Sequence, residues 1–457
     1  MRPLLFVAMP FGVKRDHTGT HDINFDTVYE RAIKPAAAAL NLEVIRADEE
    51  RTGGIIHVSM FERLLLAEIV VADVTIPNPN VFYELGVRHS ARPRTTILIR
   101  GKEGQLPFDV FLIRALSYSL EDGELKGRAA DELTGQLIDR LKAALEDLES
   151  KDSPLFQLIS RYPGIDLPHD VTESFRDRAR YIDRMRERFE LARKRQPREA
   201  AIAEIRGIEK ELGPFNETHS ELLVDLLLSY RDVKGWDEMI SVVARLPRPL
   251  RNALTIREQY AFALNRRNAR GDRERAIAEL NECIHQHGIS PETCGIYGRI
   301  YKDASDEAAA AGRSQEAEAH LDEAIAWYSR GFEQDPRDYY PGINAATLLY
   351  KKGTKDALAA LQTILPAVSF AVARRGGINS RDYWDIATVL EVAVLTEDWH
   401  IAHRAVGRLL VHHGPLWTIE TTVRNLETLK GVRGARGLPT RDVEDIIRTL
   451  EEKARSL

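Results

Sequence analysis

The stretch Asn78-Pro-Asn-Val-Phe-Tyr-Glu84-Leu-Gly86 has the residue types and spacing best suited to chemistry in this chain. It follows a β-branched run, Ile69-Val-Val-Ala-Asp-Val74, and opens a helix-like run over residues 81–91. This order predicts a carboxylate, Glu84, in the first turn of a helix just past the carboxyl end of a parallel strand. Ligands bind at that edge in open α/β sheets. The positive end of a helix dipole favours an ionised carboxylate. Such a group can trap the oxocarbenium-like state formed when an N-glycosidic bond breaks, and water or a second acceptor then resolves the ester. The segment from Pro10 to Thr20 carries Lys14, Arg15 and His17, whose charge suits phosphate, with a solvated loop as the alternative. His89 reads as an ordinary surface histidine or as a partner of Glu84.

The elements that must hold these residues follow from hydrophobic periodicity. Residues 3–8, 43–47, 69–74, 95–100 and 115–120 are short apolar runs that read as strands. Amphipathic segments near 25–40, 55–67 and 81–91 separate the first four, and a helix near 129–148 closes the region. That alternation predicts βαβ units and a parallel, Rossmann-like sheet covered on both faces. The expected division is an α/β domain over 1–150, a linker over 151–171 and an all-α domain over 172–457. Lys151-Asp-Ser-Pro154 and Tyr162-Pro-Gly164 supply the linker signals. Beyond Thr172 helix follows helix. Thr218-His-Ser-Glu221 reads as a capping box, and Ser290-Pro291 as an N-cap with a first-turn proline. Hairpins of about 30 to 40 residues suggest a solenoid. Ala324, Tyr328, Phe332 and Pro336 have the spacing of a tetratricopeptide (TPR) second helix. A simple packed helical body is the alternative.

Composition narrows the classes. The 457 residues are 44% hydrophobic and 29% charged, as expected of a globular chain of two or three domains. Two cysteines, Cys283 and Cys294, imply no disulfide framework and fit a reducing, cytoplasmic setting. A net charge of -6 without a long basic block argues against dedicated nucleic-acid binding. No apolar run approaches the roughly 18 to 20 residues of a membrane span. His285 and His287 diverge on a helix and His412-His413 is no better placed, so neither a metal nor a cofactor is expected.

Asp73-Val-Thr75 and the run Asn78 to Gly86 resemble the nucleoside 2-deoxyribosyltransferase superfamily, including its nucleotide N-glycosidase branch, over about residues 1 to 120. Phe6-Val-Ala-Met-Pro-Phe-Gly12 is similar to that family's first strand and loop, and Tyr83-Glu84-Leu-Gly86 to its nucleophile motif. The resemblance implies Glu84 as nucleophile, Asn78 near the sugar hydroxyls and Asp73 at the strand end. It implies a substrate site lined by Met9, Pro10, Phe11, Gly12, Asn80, Tyr83 and Gly86, and a homo-oligomer. Hydrolases of that family often carry an acid on the helix before the third strand; this chain has Met60 there, flanked by His57 and Glu62. A cationic leaving group, such as the nicotinamide of NAD, needs no such acid. A sensor without turnover needs none either.

The helical half carries Tyr230-Arg-Asp232, Tyr260-Ala-Phe-Ala-Leu-Asn265-Arg-Arg267, Gly298-Arg-Ile-Tyr-Lys-Asp303, Trp327-Tyr328 and Gly342-Ile-Asn344. In order and spacing these resemble the central regulatory, TRAF-binding region of apoptosis signal-regulating kinases over about residues 215 to 370. A kinase catalytic segment is missing: no His-Arg-Asp loop and no Asp-Phe-Gly occurs. Bacterial relatives of this layout resemble nucleotide-signalling, antiviral defence components. Asn265, Arg266, Arg267, Arg299, Lys302 and Asp303 read as a buried ion-pair network, with a ligand or partner site as the alternative.

Together these readings predict a nucleotide N-glycoside hydrolase or glycosyltransferase with a helical region that holds a protein partner. The alternative is a non-catalytic nucleotide-sensing scaffold in a signalling or immune pathway.

Overall fold

Leu4–Ala8 (β1) is buried along its whole length because helices cover both faces of the sheet at this strand. The computed structural model describes residues 2–16, 21–46, 63–102, 114–147, 151–159, 162, 181–182, 184–412 and 416–455. His17, His57, Met60, Glu62, His413 and the expected start of the helical half at Thr172 lie outside the described residues, as does most of the helix expected over 55–67.

The remaining strands are Val13–Arg15 (β2), Asp22–Asn24 (β3), Glu43–Arg46 (β4), Ile69–Asp73 (β5), Thr96–Gly101 (β6) and Ala115–Tyr118 (β7). Five form one parallel sheet in the order β4-β1-β5-β6-β7, while β2 and β3 make a separate antiparallel hairpin. Side chains alternate across the sheet, as the two-residue period requires. Leu5, Val7, Val71, Ile97 and Ile99 pack with Phe25, Val28, Leu133 and Leu137 on one face. Leu4, Phe6, Ala8, Val70, Ala72 and Leu98 pack with Leu64, Val81 and Leu85 on the other. Each fully buried Leu, Ile, Val or Phe among them contributes roughly 1.5–3 kcal/mol.

All five expected sheet strands form, with shifted ends. The strand expected from 95 begins at Thr96 because Thr95 has φ of +69°, a backbone that a β-branched residue rarely adopts. The helix expected over 25–40 is interrupted by a π-helical turn at Tyr29–Ile33, between Phe25–Val28 and Lys34–Ala39. Pro35 follows that turn and lacks the N–H needed to continue the regular ladder.

By contacts the chain divides into two compact units, Met1–Val233 and Lys234–Leu457. The helices Arg198–Leu212 and Ser220–Asp232 fall in the first. There the expected capping box does not form. The Thr218 hydroxyl instead turns back to the carbonyls of Leu212 and Pro214, each at 2.9 Å, and His219 takes the N-cap position.

Among its described residues the second unit has helices as its regular elements, and most long helices pack on the next, while Trp399–Leu410 packs on Tyr383–Leu395 and Arg441–Arg455. Ser290 caps Pro291–Ala310 as expected, accepting from the Thr293 N–H at 3.0 Å. Ala324, Tyr328 and Phe332 form one buried face of Ser314–Gln334. Glycines set the close approaches: a Cβ on Gly298 would lie 2.7 Å from the Tyr328 ring. The segment Lys355–Asn379 is, contrary to expectation, long and apolar enough by length and composition to cross a membrane. Its Leu361, Leu365, Val368 and Val372 are nevertheless buried in the core of this unit.

Candidate functional site

The order of strands reverses at β1, with β4 on one side and β5 on the other, so the crevice outside the ends of β1 and β5 is the topological switch point. Ala8 pairs with Ala72, so Met9 and the end of β5 at Asp73 lie at the same edge of the sheet. Met9 and Pro10 are buried, and Phe11 is half exposed. Gly12 turns the chain with φ of +65°, in space that would admit a Cβ, so its requirement is conformational. Its N–H donates to Asp26 Oδ1 at 3.1 Å and its carbonyl accepts from the Phe25 N–H at 3.0 Å. Asp26 in turn pairs with Arg46 at 2.8 Å.

Lys14 and Arg15 lie on β2 of the hairpin and not in a loop, because Lys14 pairs with Ile23 and Arg15 with Asp22. Three residues are too few for periodicity to reveal such a strand. Lys14 Nζ sits 4.9 Å from the centre of the Phe11 ring, and Arg15 reaches Asp22 at 3.5 Å.

Asp73 is the buried hub of the edge. Its Oδ1 accepts from the Thr75 N–H at 2.9 Å and the Thr75 hydroxyl at 2.5 Å, and its Oδ2 accepts from the Tyr118 hydroxyl at 2.7 Å. Thr75 Oγ1 also accepts from the Gly101 N–H at 2.7 Å, tying in β6. Burial raises the Asp73 carboxyl to about 6, against the pull of those hydrogen bonds. A carboxyl at that value can both give and take a proton near neutral pH. The partnership with Tyr118 had no signal in the sequence.

The helix after β5 is Pro79–Ala91, and it begins two residues before the expected start. Asn78 is its N-cap: Oδ1 accepts from the Asn80 N–H at 3.0 Å and the Val81 N–H at 3.4 Å, and Pro79 takes the first helical position. Glu84 therefore stands in the second turn, and no acidic residue occupies the first. The dipole effect fades within the first turn, so that argument for an ionised Glu84 fails. The cap also commits the Asn78 carbonyl oxygen, leaving only its amide N–H groups for a sugar. Glu84 is buried, whereas Tyr83 is 59% exposed. Asn80 is exposed, and Gly86 faces open space.

His89 is not a surface residue. It is buried, and burial together with neighbouring Arg88 lowers its ring to about 4. Arg88 is a clamp missed by sequence reasoning. It donates to the carbonyls of Leu64 at 2.6 Å and Ala67 at 2.9 Å, and to Thr95 Oγ1 at 2.9 Å. It thereby holds the strained entry to β6.

In the helical unit the expected single network is divided. Arg267 grips buried Asp272 through two bonds of 2.7 Å and reaches Asp237 at 3.3 Å. Separately, Asn265 donates to Asp303 at 2.8 Å, and Arg299 lies 3.0 Å from the same carboxylate. Arg266 and Lys302 belong to neither group. His285 and His287 are exposed near a helix end, and His412 Nε2 lies 2.9 Å from the Arg381 carbonyl.

Comparison with known proteins places these features. A family model described as the MAP3K TRAFs-binding domain matches residues 81–447. Mitogen-activated protein kinase kinase kinase 15 of Mus musculus is 32% identical over 245 residues, covering 51% of this chain and 18% of that protein. Mitogen-activated protein kinase kinase kinase nsy-1 of Caenorhabditis elegans is 34% identical over 226 residues, covering 46% and 15%. Mitogen-activated protein kinase kinase kinase 6 of Homo sapiens is 30% identical over 378 residues, covering 77% and 28%. The chain thus spans less than a third of the length of these relatives.

Proposed function

This chain belongs to the MAP3K TRAFs-binding domain family, and on that premise we propose that it is a signalling scaffold whose helical region holds a protein partner. The observation that carries this reading is the extent of the match, which takes in nearly all of the helical unit. The family description supports an adaptor of the TRAF type as the partner class. Within this reading the helices form TPR-like pairs, the segment 151–171 links an α/β domain to them, and the protein works in the cytoplasm. The α/β domain is a non-catalytic nucleotide sensor, assembled as a homo-oligomer. Its ligand lies at the β1/β5 switch point, between the Met9–Gly12 turn and the Asp73–Asn78 segment. The test is calorimetry of the full chain with purified TRAF-type adaptor domains and with a nucleotide panel. Saturable binding without product supports the scaffold; no binding of either class removes it.

A second reading is favoured by Glu84, buried in the helix that leaves this edge, and by Asp73 at the strand end. It makes the first domain deoxyribosyltransferase-like. A Glu84 oxygen bonds to the anomeric carbon as the C–N bond breaks, and the base leaves with the electron pair. Asp73, held near 6, supplies the proton that the residue at Met60 cannot. Water then opens the ester. The test is turnover of nucleotides and NAD by wild type and Glu84→Gln; equal activity in both removes Glu84 from that role.

A further inference from the structure

The helices Leu254–Arg267, Pro291–Ala310 and Tyr339–Lys352 pack side by side, and Tyr339–Lys352 also meets Tyr383–Leu395 and Leu416–Ala435. On Pro291–Ala310, Gly295, Arg299 and Lys302 recur at helical spacing and so share one face. The Tyr340 ring lies over that face, since a Cβ on Gly295 would come 3.3 Å from it. Arg266 lies over the Phe262 ring, 5.4 Å from its centre.

Arg266, Arg299 and Lys302 crowd together here among a small set of carboxylates: Asp303, Asp306, Glu391 and, beside Tyr340, Glu292. Asp303 is shared by Arg299 and Asn265. Asp306 pairs with Lys351 at 2.7 Å, and Glu391 accepts from the neutral Asn425 amide at 2.8 Å. Among the described residues neither Arg266 nor Lys302 has an ion-pair or side-chain hydrogen-bond partner, and Arg266 Nε is buried without an acceptor. Burial, then the nearby charges of Arg299 and Arg424, work against the charged form of Arg266, with Asp303 and Tyr340 pulling the other way. Burial, then Arg299, lowers Lys302 to about 8, with Asp306, Glu391 and Asp303 pulling the other way. Half-buried cations that no carboxylate contacts directly are costly unless something else supplies that contact.

We infer that this face seats an acidic segment of a protein partner, with carboxylates on Arg266 and Lys302 and an apolar side chain against Phe262 and Tyr340. This rests on the scaffold reading and specifies the chemistry of its partner. The cations are spread over neighbouring helices, which suits carboxylates spaced along an extended peptide better than one compact anion. Flanking aromatic rings give such a peptide contact area that a bare anion would not use.

The experiment uses the full chain and a fluorescein-labelled peptide of repeated Glu-Tyr-Gly units, with a Gln-Tyr-Gly peptide as control, read by anisotropy. The glutamate peptide is expected to bind preferentially and to weaken as salt rises. Arg266→Gln with Lys302→Gln is expected to weaken it roughly tenfold or more. Arg337→Gln, which removes an exposed cation paired with Asp335, leaves binding unchanged. Thermal melts establish that each variant is folded. Equal binding of both peptides, binding indifferent to the double variant, or displacement by equimolar inorganic phosphate overturns the inference. If the double variant loses the peptide but still holds an adaptor domain as wild type does, the inference falls and the scaffold stands. If wild type holds no adaptor domain, the scaffold reading falls first.

Discussion

Tyr118 donates a 2.7 Å hydrogen bond to Asp73 across 45 residues of sequence, joining the ends of β5 and β7 over the intervening β6. Thr75 completes the arrangement, lying 2.8 Å from the Tyr118 oxygen and bonded to both Asp73 and Gly101. Tyr118→Phe leaves a buried acceptor short of a donor. Urea denaturation should show a loss of about 1–3 kcal/mol. A change within error would mean that the bond does not support the edge.

Asp73 gives that edge a signature in pH. Its folded value of about 6 lies above the ordinary 3.8, so the native state holds this proton more tightly than the unfolded chain. The contribution of Asp73 to stability is therefore greatest below about 4, declines as pH rises to about 6, and is flat above. Asp73→Asn removes this slope. The stability gap between variant and wild type, measured by denaturation across pH 4 to 7, should move in favour of the variant up to about pH 6 and then level off. A constant gap contradicts the raised value.

Asn78→Ala removes the cap of Pro79–Ala91 and should cost about 1 kcal/mol, while Asn78→Asp, another good cap, should largely preserve stability. Loss of nucleotide binding in the alanine variant at unchanged stability would instead assign Asn78 to a ligand.

Two glycines should behave oppositely. Gly298→Ala forces a methyl to within 2.7 Å of the Tyr328 ring and should destabilise by about 1–3 kcal/mol. Gly86→Ala meets open space within a helix and should be neutral or stabilising by up to about 1 kcal/mol. Thermal melts of both variants check the pair.

Lys302 should make acidic-peptide binding and stability respond to pH with opposite signs. Its folded value of about 8 lies below the ordinary 10.5, so between these values the unfolded chain binds the extra proton and stability rises with pH. Peptide affinity should fall over the same window as the ammonium charge is lost. Lys302→Met should flatten its share of both trends. Arg299, Asp303, Asp306 and Glu391 face this amine and remain in the variant. Parallel trends in wild type and variant would contradict the account.

What the sequence disclosed and what it hid have physical reasons. The five sheet strands were legible because each is a short apolar run buried on both faces, as Ile69–Asp73 illustrates. Their ends were not, since Thr95 leaves the strand through a backbone angle that its residue type disfavours. Asn78-Pro79 carries the same capping signal as Ser290-Pro291. That signal starts the helix at Pro79 and puts Glu84 beyond its first turn. The Thr218 capping box failed because carbonyls nearer in the turn captured its hydroxyl. Tyr118 and Arg88 stayed hidden because their partners are distant in sequence. The cationic run from Arg266 to Lys302 was legible as a cluster, but only the packed helices reveal which members pair.

The most direct test is calorimetry of the full chain with the adaptor domain proposed as its partner, run beside product analysis on nucleotides for wild type and Glu84→Gln. The account predicts saturable adaptor binding, equal in both proteins, with nucleotides left intact. Absence of adaptor binding, together with nucleotide cleavage that Glu84→Gln abolishes, would contradict it.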